Sequence, residues 1–67
     1  MRDLLISSLR AFLEGEAAKA KANVEVYLAN PAGIGEHPDV VEAMRSELSK
    51  LSQAQEDLAT VEREFME

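Results

Sequence analysis

The chain contains two prolines, Pro31 and Pro38, and they bracket its middle in the run Asn30-Pro31-Ala32-Gly33-Ile34-Gly35-Glu36-His37-Pro38. Proline has no N–H to give a helix, and its ring clashes with the preceding turn. The residue before it is pushed towards extended backbone. Gly33 and Gly35 allow positive φ on either side of Ile34. Any regular element must therefore end near residue 30 and restart near residue 38. The two stretches that remain, 2–29 and 38–66 with Pro38 at its start, are nearly equal in length, at about 42 Å each if helical.

Both stretches carry apolar residues at helical spacing. In the first, Leu13, Ala17, Ala20, Val24 and Tyr27 form a seam with alternating steps of four and three, and Leu5, Leu9 and Phe12 form a second row beside it. The seam is bulky at its start and small in the middle, where Ala17, Ala18, Ala20 and Ala22 would let a neighbour approach closely. Gly15 lies within this stretch, where it costs up to ~1 kcal/mol relative to alanine. In the second stretch Val41, Met44, Leu48, Leu51, Gln55, Leu58, Glu62 and Phe65 alternate steps of three and four, with Met44, Leu51, Leu58 and Phe65 seven apart as in a coiled coil. Val40, Ala54 and Val61 widen this stripe. Because Gln55 and Glu62 are polar, the contact face is expected to centre on the Ala54–Val61 side.

Equal helices joined by a short connection predict an all-α fold, an antiparallel hairpin of about 2–29 and 38–66 making a single domain of residues 1–67. Leu28 then lies near Val41 and Leu5 near Phe65. Asn30, Pro31, Gly33, Ile34, Gly35, His37 and Pro38 make the turn, with Ile34 plugging the hairpin end against Leu28 and Val41. Pro38 suits the first position of the second helix, with His37 as its cap and Asp39 and Glu42 in its first turns, where the helix dipole favours negative charge.

A two-helix rod of 67 residues buries little, and the chain has no cysteine for a disulfide. Oligomerisation is the remaining way to complete a core. Residues 4–13 carry more apolar side chains than one partner helix can cover, which points to a contact between molecules. The expected oligomer interface is Leu5, Leu9, Phe12, Leu13, Met44, Leu51, Leu58 and Phe65, most simply in a dimeric four-helix bundle.

The net charge of −6 lies entirely in residues 31–67, where Arg45, Lys50 and Arg63 oppose nine acids. An acidic chain without a basic face argues against nucleic acid as partner. Cations of the first helix can meet the acidic second one, which disfavours pairing the second helix with another copy of itself. No run approaches a membrane span. The N-terminal segment lacks the arginine- and lysine-rich polar face of a membrane-surface helix. Arg10 and Glu14 interrupt what would otherwise read as a signal peptide. The expected location is cytoplasmic.

His37, the single histidine, stands beside Glu36, Asp39 and Glu42. One histidine among dipole-favoured carboxylates is not a ligand set for a metal, and a helix cap accounts for it. The glycine-rich turn lacks the Lys-Ser/Thr ending of a phosphate loop. Ser7, Ser8, Ser46, Ser49 and Ser52 have no base spaced to activate them. The chain is therefore expected to be non-enzymatic and without cofactor.

From Ala20 onward the chain resembles a family of small helical proteins of tailed bacteriophages, marine ones included. The likeness rests on Lys21-Ala22-Asn23-Val24-Glu25-Val26-Tyr27-Leu28, on Asn30-Pro31-Ala32-Gly33-Ile34-Gly35-Glu36-His37-Pro38-Asp39 and on Glu56-Asp57-Leu58-Ala59-Thr60-Val61-Glu62. The resemblance implies a phage origin, with a host-cell cytoplasmic location, and carries no activity. Two roles follow as expectations. One is a homo-oligomeric structural, assembly or accessory protein. The other is a small acidic module that docks on a different, host protein.

Overall fold

A computed structural model describes residues 1–29 and 39–66, which form two helices packed antiparallel: α1, Arg2–Ala29, and α2, Val40–Phe65. The hairpin of helices read from the sequence is therefore the fold. Alanine, leucine, glutamate, lysine and arginine, which lose little freedom in a helix, dominate both elements. α1 runs unbroken through Gly15, and no atom lies within 4 Å of where a β-carbon would stand there. The glycine marks neither a close crossing nor a break.

α2 begins two residues later than expected. Its N-cap is Asp39, whose Oδ1 accepts from the Glu42 N–H at 2.9 Å, and not His37. A short carboxylate at this position both satisfies an orphan N–H and complements the dipole, so it outcompetes a first-turn role for the same residue. The helix stops at Phe65, and Met66 turns extended at φ −122°, ψ 145°. The turn residues Asn30, Pro31, Gly33, Ile34, Gly35, His37 and Pro38 lie outside the described residues. Leu28 and Val41, the expected contacts of Ile34, are themselves largely exposed.

Three cross-helix bonds fix the register. The Arg2 guanidinium donates to the Phe65 carbonyl at 3.0 Å, Arg10 pairs with Glu62 at 3.1 Å, and the Asn23 amide donates to Glu47 at 2.8 Å. Arg2 meets the negative end of α2, where a cation is favoured. The core is a narrow strip: Leu13 and Ala20 of α1 and Ala54 and Val61 of α2 are its buried members among the described residues. Ile6, Ala17, Val24 and Tyr27, with Val40, Met44, Leu51 and Leu58, line it half-buried. The expected centring on Ala54 and Val61 is what the burial shows.

The result is a rod of 46 × 16 × 16 Å with a radius of gyration of 15.0 Å. A compact chain of this length would have a radius near 11 Å. No helix among the described residues is long and apolar enough to cross a membrane.

Candidate interaction faces

Two parallel cylinders leave two broad faces, one on each side of the plane that holds their axes. The buried strip sets the inward direction for each helix. At about 100° per residue every other position can then be assigned to a face. The Arg10–Glu62 ion pair marks the first face and the Asn23–Glu47 bond the second.

On the first face α2 contributes Val41 and Leu48, exposed at 77% and 56%, and the outer edges of half-buried Met44, Leu51 and Leu58. Gln55 and Ala59 continue that row and Glu62 stands towards one end, whereas Arg45, about 180° round the helix from buried Ala54, points away from α1 and pairs with Glu42 at 2.9 Å. α1 adds Ala18 and Leu28, with the charges Asp3, Glu14, Lys21 and Glu25. On the second face Leu5, Leu9 and Phe12 project from the first half of α1, and Phe12 is 63% exposed. The α2 side of that face is polar. Lys50 pairs with Glu47 at 3.0 Å, and Gln53 donates to Asp57 at 2.9 Å.

The eight residues expected to form one oligomer interface are thus distributed over the molecule. Leu13 is buried between the chain's own helices and is not available to another molecule. It sits on the seam shared with Ala20, and a seam residue of a hairpin is covered first by the other arm. Met44, Leu51 and Leu58 border the first face, and Leu5, Leu9 and Phe12 lie on the second. Phe65 stands half-exposed at the end where the two termini meet.

The sequence reading missed Glu47. Its side chain, only 12% exposed, occupies the seam, where Oε1 accepts from Asn23 and Oε2 pairs with Lys50. The Asn23 amide, followed by Lys50, holds its carboxyl below the ordinary carboxylate range against the opposing effect of burial. A signal was present: Val40, Glu47, Ala54 and Val61 are spaced by seven, so the row that includes the buried Ala54 and Val61 passes through position 47. Arg10 is a second charged seam residue, and its Nε is enclosed without a hydrogen-bond partner among the described residues.

An open groove of about 490 Å³ lies at the terminal end, lined by Arg2, Asp3, Ile6, Ser7, Arg10, Glu64, Phe65 and Met66. Its charges are mixed, and its two arginines already engage the Phe65 carbonyl and Glu62. Among the described residues no three His, Cys, Asp or Glu converge as a metal site would. His37 lies outside them. The chain matches no protein-family model, and no curated protein and no solved structure matches it.

Proposed function

We propose that this chain is a non-enzymatic helical hairpin that associates with copies of itself, most simply as a dimeric four-helix bundle, and serves as a structural, assembly or accessory protein. The observation that carries the reading is the imbalance of its apolar surface. Of the four buried core residues among the described residues two are alanines, while Leu4, Leu5, Leu9, Phe12, Val26, Leu28, Val41, Leu48 and Phe65 are all exposed. The chain's accessible surface is 5160 Å². A compact monomer of its mass, 7.4 kDa, would expose about 4,200 Å². The excess is comparable to the ~800 Å² per partner of a stable interface.

The resemblance to tailed-phage proteins bears on origin and on a host-cell cytoplasmic location, and carries no activity. Sedimentation equilibrium at micromolar concentration tests the association. A well-folded, monodisperse monomer overturns it. A second reading, an acidic module docking on a basic host protein, is favoured by one observation: Glu42, Glu56 and Glu64 of α2 are exposed, on the side of α2 turned away from α1 and along its edge. Recovery of one stoichiometric basic protein from host lysate, with no self-association of the purified chain, would favour that reading over the first.

A further inference from the structure

The self-association proposed above leaves open how the copies meet. The exposed apolar side chains of the two helices lie on opposite faces and towards opposite ends of the rod. Leu5, Leu9 and Phe12 of α1 project from the second face, at the end where the termini meet, and are 60%, 43% and 63% exposed. Val41 and Leu48 of α2 project from the first face, towards the other end, beside half-buried Met44 and Leu51. A single two-fold contact through either face covers one of these rows and leaves the other in water. A single contact between unlike faces draws on both.

Resting on that self-association, we infer that copies stack head to tail, the first face of one against the second face of the next. For the apolar rows to meet, the second copy is turned half a revolution about the normal to the face. Its α1 then runs parallel to α2 of the first copy, with the end that holds its termini over the first copy's other end. The rows match in spacing. Leu5 and Phe12 are seven apart, as are Val41 and Leu48. One register therefore sets Leu5 over Val41 and Phe12 over Leu48, with Leu9 between Met44 and Leu48. The Arg10–Glu62 and Asn23–Glu47 bonds give the relative level of the two helices, and at that level the register offsets the two rods by only about 5 Å. The broad side of the rod measures 46 × 16 Å. The overlap, about 650 Å² in projection, approaches the ~800 Å² per partner of a standard interface. A pair so joined is a four-helix bundle with one face of each kind still open, so the contact repeats instead of closing.

The same register lays α2 of the second copy along α1 of the first. Lys50 then faces Glu14, and Asp57 faces Lys21. Lys50 also holds Glu47 at 3.0 Å, with its side chain 65% exposed. Against these, Asp39 faces Asp3 at the very end of the overlap, and Glu64 comes within a turn of Glu25. Glu16 and Lys19 face Ser52 and Gln55, and Arg10 and Glu62 keep their own pair. Arg45, Glu56 and Arg63 point away from α1, outside the contact. The charges are near balance, and it is the apolar rows that select the register.

Sedimentation and crosslinking test the inference. The wild type should grow past the dimer as concentration rises. Phe12→Glu and Leu48→Glu each place a charge in one of the two apolar rows, and each should weaken self-association at least about tenfold. Mixed in equal amounts, the two variants should form a dimer and nothing larger, because the intact first face of one meets the intact second face of the other. Circular dichroism follows the helicity of each, and where a glutamate variant loses its helices the cysteine pair decides. In a chain without cysteine, a short bismaleimide should join the Phe12→Cys protein to the Leu48→Cys protein, and neither to itself. A wild type that stops at the dimer, a glutamate variant that associates as the wild type does, or a cysteine variant that crosslinks to itself overturns the head-to-tail assignment and leaves self-association standing. A monomeric wild type overturns both.

Discussion

Asn23 and Glu47 show how a single polar pair acts in so thin a core. Glu47 takes a seam position that an apolar residue would fill, and it is tolerated because both carboxylate oxygens are engaged, by Asn23 and by Lys50. A largely covered carboxylate left without its donor is destabilising. Asn23→Ala is therefore expected to lower unfolding stability by about 1–2 kcal/mol, measured by urea denaturation at neutral pH. The pair also sets an acid response. Because the folded Glu47 carboxyl titrates below the ordinary range, its contribution is complete above that range and is lost as pH falls through the folded value. Denaturation midpoints followed downward from neutral pH should fall across that window, and the fall should be smaller in Asn23→Ala. An equal acid loss in both proteins would show that the bond contributes nothing to it.

At the scale of the element, both helices were legible in the sequence, although α2 was expected two residues before it begins. α1 ends at Ala29, as the Asn30-Pro31 pair requires. α2 starts at Val40 because Asp39 caps it, a detail that depends on which of several polar residues before the helix reaches an orphan N–H. Gly15 was visible as a weak point, and the fold shows that nothing packs against it. Its backbone is helical, so alanine there restricts the unfolded chain and favours the helix. Gly15→Ala should stabilise the protein by about 0.5–1 kcal/mol, read as a raised urea midpoint with unchanged slope. A loss of stability would mean that a neighbour, in this chain or a second copy, approaches that face closely.

At the scale of the molecule, the rod cannot cover its own apolar rows. Each helix has one neighbour, and one neighbour shields less than half of a helix's circumference. If a second copy supplies the missing cover, stability is linked to association by mass action. The melting temperature should then rise by several degrees over a hundredfold increase in protein concentration, as followed by circular dichroism. A midpoint independent of concentration would show that the hairpin folds alone.

The sequence by itself determined the two helices, the break between them, their antiparallel pairing and the row centred on Ala54 and Val61. These follow from local rules: proline and glycine stop helices, and apolar spacing marks the inward stripe. What only the tertiary structure decided was which apolar residues the hairpin covers and which it leaves. Leu13 and Phe12 are neighbours in sequence and equally apolar, yet one is buried and the other is 63% exposed. The stripe on α1 is wider than one partner helix, so its edges are assigned by the rotation of the helix about its own axis. That rotation is fixed by contacts such as Arg10 with Glu62 and Asn23 with Glu47, between residues far apart in the chain. Spacing along one helix carries no information about which flank its neighbour takes.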